Sequence, residues 1–191
     1  MKPCDKKSLR KAIRQAFPGE AERARQSERI CGHVLAWEVY QAAKVVGGYM
    51  PMRHEADITP VLADVLASGK TLALPRCGRP PEMTFHRVEN LADLNAGAYG
   101  LLESREDAPV VAPEEIDLLL VPLEAVDSRG ARLGKGGGYY DCLLRQGNIN
   151  TLGVAMAHQL VEELPEDEWD QPLRAVVTAW GVTSFDMERN V

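Results

Sequence analysis

No stretch of this chain reaches the roughly 18 consecutive apolar residues that a membrane-spanning helix needs, so no membrane partner is expected. There is no Cys-x-x-Cys: Cys4, Cys31, Cys77 and Cys142 are scattered, and the four histidines do not cluster with them. That spacing offers neither a zinc site nor a redox pair, and without a secretory signal it reads as free thiols rather than a disulfide framework. Positive charge is in deficit, with 22 Lys and Arg against 28 Asp and Glu and a net charge of −6. Nucleic-acid binding normally shows the opposite balance, so none is expected. Residues 1–14 are basic but lack the apolar core of a signal peptide, which makes the cytoplasm the expected location. Two nucleotide signatures are also missing, G-x-x-x-x-G-K-[ST] and G-x-G-x-x-G.

What the chain has is an ordinary soluble composition, 45% hydrophobic and 26% charged, over a length that one domain spanning 1–191 can occupy. Its densest feature is the run from Asp127 to Asp141, DSRGARLGKGGGYYD. Gly134, Gly136, Gly137 and Gly138 let the backbone turn and bring N–H groups close to an anion. Arg132 supplies a flat two-pronged donor and Lys135 a mobile point charge. Tyr139 and Tyr140 can stack on a planar ring or hydrogen-bond through their hydroxyls, although a tyrosine opening a helix can equally pack into the core. Asp141 is the type of residue that holds a hard cation such as Mg2+. The combination reads as a site for a polyphosphate and its metal.

The hydrophobic pattern predicts helices over 6–17 and 20–44, a strand over 45–50, and a helix over 59–67 with Thr59 as its cap and Pro60 in the first turn. Strands follow at 71–74, closed by Pro75, and at 83–88. Residues 110–115 read as a linker, and 116–121 as a strand buried on both faces. A helix over 138–146, a strand over 151–156, a loop with helical turns over 160–173 and a strand over 175–179 complete the chain. Strands alternating with helices imply an α/β layered fold, its mostly parallel central sheet flanked by helices and preceded by an N-terminal helical pair. Sites in such folds lie where loops leave the carboxyl ends of strands, and the glycine run sits directly after 116–121.

Three other groups of residues can carry chemistry. Lys6, Arg10 and Arg14 recur at i, i+4, i+8 and form one basic stripe, a solvated surface unless it faces an anion. Like charges so spaced cost an isolated helix roughly 0.2–0.5 kcal/mol per pair. In Met50–Thr59, Glu55 follows a strand and can accept hydrogen bonds from a ligand, Asp57 caps the next helix, and His54 is exposed. Met50 and Met52 line a pocket or fill core. Farther on, Gln159 follows a strand closely enough to reach the site, His158 is structural, and the acidic run through Asp170 is a solvated face.

Taken together, these pieces resemble the 5-formyltetrahydrofolate cyclo-ligase family, over nearly the whole chain. The resemblance is carried by K-x-x-L-R at Lys6–Arg10, Glu55 and Asp57, Leu74-Pro75-Arg76, Met83-Thr84-Phe85 and Tyr99-Gly100-Leu101-Leu102-Glu103. It continues through Val121-Pro122 and Ala125-Val126-Asp127 to R-L-G-x-G-x-G-Y-Y-D at Arg132–Asp141. Gln159-Leu160-Val161, Glu163-Leu164-Pro165, Asp170 and Val176-Val177-Thr178 complete it. Only the long glycine motif is specific by itself. The resemblance implies an enzyme that uses ATP and Mg2+ to close 5-formyltetrahydrofolate into 5,10-methenyltetrahydrofolate, acting as a monomer on small molecules. By the same resemblance Lys6, Arg10, Arg132, Leu133, Gly134, Lys135, Gly136, Gly137, Gly138, Tyr139 and Tyr140 hold ATP, with Arg132 and Lys135 catalytic. Glu55, Met50 and Tyr139 hold the folate, and Asp141 holds the metal. Arg174 stands where many members carry an aspartate assigned to the metal, which leaves the second acidic ligand open. That departure keeps two alternatives in view: a paralogue acting on another heterocycle, and a nucleotide-binding protein without turnover.

Overall fold

The computed structural model describes residues 5–97, 102–146 and 149–185. Cys4 and residues 99–101 of the Tyr-Gly-Leu-Leu-Glu motif lie outside the described residues. Asp5 starts helix α1 (Lys6–Gln15): its carboxylate accepts from the Lys7 and Ser8 backbone N–H groups at 2.9 Å, satisfying donors that the first turn leaves free. The expected single helix over 20–44 is instead two, α2 (Glu20–Ala36) and α3 (Glu38–Ala42). Trp37 between them is extended (φ −76°, ψ 130°), and its indole packs against the core. Strand β1 (Val45–Gly47) leads through a loop to α4 (Thr59–Ala67). Ile58, not Thr59, is the residue before the first helical one, while the Asp57 carboxylate accepts from Thr59 N–H at 3.0 Å.

β2 (Thr71–Cys77) runs through Pro75 rather than ending there, and pairs antiparallel with β3 (Met83–Val88). The Ala73 carbonyl accepts from Gly48 N–H, on the β1 side. Pro75, two residues on, therefore turns its donorless nitrogen to the same side, beyond the end of β1, and no ladder bond is lost. β4 (Asn95–Ala96) and β5 (Leu102–Glu103) form a small ribbon. The expected linker over 110–115 contributes β6 (Val110–Val111), which closes one sheet edge against β3. β7 (Leu118–Val121) is buried throughout. A second ribbon, β8 (Ala125–Val126) with β9 (Arg132–Leu133), comes next, then α5 (Tyr139–Leu144) and β10 (Thr151–Val154). Residues 160–173 are irregular rather than helical, touching the second ribbon through a bridge between Leu160 and Val126. β11 (Ala175–Thr178) turns back into β12 (Gly181–Ser184), a hairpin the sequence pattern did not indicate.

Among the described residues the main sheet has eight strands, in the order β12-β11-β10-β7-β1-β2-β3-β6. Its centre, β11 to β2, is parallel, with registers such as Val46↔Leu118 and Leu152↔Leu120, and its edges are antiparallel. Alternation sorts the side chains: Leu118 and Leu120 face α2 and α4, whereas Leu119 and Val121 face α5. α1 lies apart, with Ile13 over Ala125, Leu133 and Leu164. From β1 the chain moves to β2 on one side; from β7, the other neighbour of β1, it moves away to β10 and β11. The loops after β1 and β7 thus part in opposite directions and leave a crevice at the carboxyl edge, the place where open α/β sheets bind ligands.

Candidate active site at the sheet switch point

Both loops that leave this crevice carry sequence-predicted residues. After β1, the turn 52–55 closes on itself: Glu55 N–H donates to Met52 O at 3.0 Å, and Met52 N–H donates to Glu55 Oε2 at 2.7 Å. Helix α2 holds this turn, Arg23 Nε donating to Glu55 O at 2.7 Å and Ser27 Oγ accepting from Asp57 N–H at 2.8 Å. Glu55 is 5% exposed, so its carboxylate is fixed inside the crevice. Lys135 Nζ, from the glycine loop, meets Glu55 Oε1 at 2.5 Å, and among the described residues no aligned hydrogen-bond donor reaches that oxygen.

The glycine motif begins on β9 rather than in a loop. Leu133 buries its side chain beneath α1. Arg132 is buried, donates Nη2 to Asp141 Oδ1 at 2.6 Å and lies over the Tyr140 ring at 5.7 Å. Gly136 and Gly138 have φ of 105° and 69°, conformations in which a side chain is strained. A Cβ on Gly134 would stand 2.6 Å from Arg132 Nη1, so the absence of a side chain there lets the guanidinium reach Asp141. From α1, Arg10 Nε donates to Gly134 O at 2.7 Å, and Lys6 bridges Asp167 (2.7 Å) and Asp170. Burial works against the Lys6 ammonium, but the two aspartates hold its pKa above the usual lysine value.

Two cavities result. One, of about 360 Å³, is mostly apolar and includes Met50, Glu55, Met83, Tyr139 and Tyr140 in its lining. The other, of about 230 Å³, is polar: Lys6, Arg10, Arg132 and Lys135 face Asp141, Asp167 and Asp170 around the backbone of Leu133–Gly136 and Gly138. Arg132 and Lys135 line both. Gly137 and Tyr140, assigned by resemblance to the nucleotide, and Tyr139, assigned to both substrates, line the apolar cavity. Tyr139 also donates its hydroxyl to Gly78 O at 3.2 Å, reaching the β2–β3 turn.

Other expectations fall elsewhere. Arg14 leaves the basic stripe to pair with Glu124, Nη2 to Oε1 at 2.6 Å. Gln159 is structural: its Nε2 donates to Leu123 O at 2.7 Å and its Oε1 accepts from Met156 N–H at 2.9 Å. His54 is exposed, its ring edge-on to Phe17, and His158 packs near the same ring. Arg174 precedes β11 at the amino edge and donates to Asn150 Oδ1 at 3.5 Å, away from either cavity. Asp170, not residue 174, brings a second carboxylate to the cavity of Asp141. The sequence pattern reads Asp167 and Asp170 as part of a solvated acidic face and gives no site role to Trp169, which lines the same cavity, or to Tyr49 and Cys77 in the apolar one. Hydrophobic periodicity and spacing mark none of the five as site residues, because it is the topology that brings them to the cavities.

A family model described as the 5-formyltetrahydrofolate cyclo-ligase family matches residues 3–179. The chain is 40% identical over 152 residues to the 5-formyltetrahydrofolate cyclo-ligase of Haemophilus influenzae, covering 76% of this chain and 81% of the relative. It is 30% identical over 192 residues to that of Mycolicibacterium smegmatis, covering 93% and 95%. The solved structure of Aquifex aeolicus 5,10-methenyltetrahydrofolate synthetase superposes with a TM-score of 0.85 at 36% identity, covering 97% of this chain and 95% of that one.

Proposed function

The chain belongs to the 5-formyltetrahydrofolate cyclo-ligase family, and on that premise we propose that it converts 5-formyltetrahydrofolate and ATP into 5,10-methenyltetrahydrofolate, ADP and phosphate. The observation that carries the reading is the shared wall: Arg132 and Lys135 line both the apolar and the polar cavity. A folate in the first and a triphosphate in the second would meet at these two cations, where charge develops during phosphoryl transfer.

The formyl oxygen attacks the γ-phosphorus and ADP departs, leaving the formyl carbon joined to a phosphate leaving group. N10 then attacks that carbon, phosphate leaves, and loss of the N10 proton gives the five-membered methenyl ring. Arg132 and Lys135 offset the growing negative charge on the phosphoryl oxygens, and the N–H groups of the glycine loop hold the remaining phosphates. Glu55 accepts hydrogen bonds from the amino and amide donors of the pterin, with Met50 and Tyr139 as walls. Lys6 and Arg10 complete the clamp from α1.

For the metal, Asp141 and Asp170 offer hard oxygen donors in the polar cavity. Among the described residues no group of three or more ligating side chains is assembled. That donor set fits Mg2+ carried on a nucleotide, which keeps waters and phosphate oxygens and takes one or two carboxylates from the protein. Bound there, the ion would neutralise phosphate charge. The proposal further takes 1–191 as one domain acting as a cytoplasmic monomer.

The test is absorbance during incubation with 5-formyltetrahydrofolate, Mg2+ and ATP, against the same mixture without ATP or with a chelator. The expected result is an ATP- and Mg2+-dependent rise of the near-ultraviolet band of the methenyl product. No rise, with ATP still bound in a separate titration, would turn the assignment to another heterocyclic substrate.

A further inference from the structure

Among the described residues, three buried polar atoms without a hydrogen-bond partner belong to residues around the apolar cavity: Glu55 Oε1, Arg132 Nε and the Tyr49 hydroxyl. The first two sit on residues already placed in the chemistry. Tyr49 has no assigned role. It follows β1 at the switch point and is only 4% exposed. As a core residue it would serve better as phenylalanine, because a buried hydroxyl with no partner is a standing cost.

We propose that Tyr49 is a further substrate-contact residue, its hydroxyl donating a hydrogen bond to an acceptor on the folate's heterocyclic ring and fixing that ring beside Glu55. The inference rests on the cyclo-ligase reading and adds a specificity determinant to it. The surroundings keep the hydroxyl protonated, and with Glu55 beside it as the acceptor, a donor is what it adds. Burial, then the neighbouring acids Glu55, Tyr140, Cys31 and Asp57, raise the Tyr49 pKa well above the ordinary phenol value. The group is therefore a protonated donor at neutral pH. Glu55, an acceptor, and Tyr49, a donor, together present the pattern that a ring with both amino and carbonyl groups complements. Pro75, Pro80, Met83, Leu102 and Pro122 give a flat ring apolar surface but no hydrogen bonds from side chains, while Arg132 and Lys135 lie on the wall shared with the polar cavity.

Tyr49→Phe removes one oxygen and keeps the ring. Direct titration with 5-formyltetrahydrofolate, without ATP, is expected to show an affinity about 3- to 15-fold weaker than wild type, the range for one neutral hydrogen bond. The KM for ATP should stay within about twofold and Tm should not fall, since the hydroxyl supports nothing in the free protein. Equal folate affinity in Tyr49→Phe and wild type would overturn the proposal alone. So would weaker affinity accompanied by a lower Tm, which marks a structural role. A wild-type protein that does not bind the folate would overturn the cyclo-ligase reading and this inference with it.

Discussion

Lys135 and Glu55 stand on different loops, and resemblance assigns them to different substrates, yet in the structure they neutralise one another at 2.5 Å. Glu55 is almost wholly buried, whereas Lys135 keeps about a third of its side chain in solvent. Removing Lys135 alone leaves a buried carboxylate without its counter-charge, so Lys135→Ala should lose stability as well as ATP affinity. The expected loss is about 1–3 kcal/mol, below the range for a fully buried pair because Lys135 is partly in water. Glu55→Gln in the same background should recover most of it. Thermal melts of the two single variants and the double give the coupling. Additivity within about 0.5 kcal/mol would mean that the pair contributes nothing to the free protein. At this scale much was legible: the glycines, Arg132, Lys135 and Asp141 announce themselves because they are dense in one short run. The pairing of Lys135 with Glu55 was not, because it joins two loops 80 residues apart (135 − 55).

The ribbon of β8 and β9 is the element that aims Arg132, and Asp127 organises its turn. Asp127 Oδ1 accepts from Arg129 N–H (2.9 Å) and Ala131 N–H (3.1 Å). Its Oδ2 accepts from Arg129 Nη2 (2.7 Å) and Leu164 N–H (3.1 Å), which ties in the 160–173 segment. Burial would raise this carboxylate's pKa, but the hydrogen bonds from Arg129 and Leu164 outweigh it and hold the value below the ordinary aspartate one. With the folded pKa depressed, the ion's contribution is complete above the unfolded value, about 3.9, and is lost as pH falls through the folded one. Asp127→Asn should lower Tm at pH 7 by an amount worth about 2–4 kcal/mol and flatten the acid limb of the stability curve below about pH 4, measured by urea denaturation across pH. An unchanged acid limb would place the acid sensitivity elsewhere. Ribbons of two residues per strand carry no readable alternation, which is why β8, β9, β4, β5 and β6 escaped the pattern while the four-residue apolar β7 did not. The Trp37 break was hidden for a related reason: apolar spacing continues across it, and only packing of the indole decides where the helix stops.

Across the whole molecule, α1 closes over the crevice by reaching later segments of the chain: Lys6 to Asp167 and Asp170, Arg14 to Glu124, Arg10 to Gly134. Lys6→Ala should release the start of α1 from the 160–173 segment. Hydrogen exchange of the first α1 turn is expected to speed up in the free protein, and the KM for ATP to rise about 10-fold, as loss of a charge-assisted contact to phosphate implies. Exchange as slow as in wild type would show that the ion pairs do not hold the helix. Composition and the strand-helix alternation were enough to determine an α/β protein, and the glycine run to point to an anion site after a buried strand, because those signals are local and periodic. Tertiary structure decided which side chains converge there. Strand order puts β1 beside β7, so the Glu55 and Lys135 loops meet at the switch point; the 160–173 segment delivers Asp170 rather than residue 174. Burial leaves the Tyr49 hydroxyl without a partner among the described residues, a property no residue has alone, since it depends on everything that surrounds it.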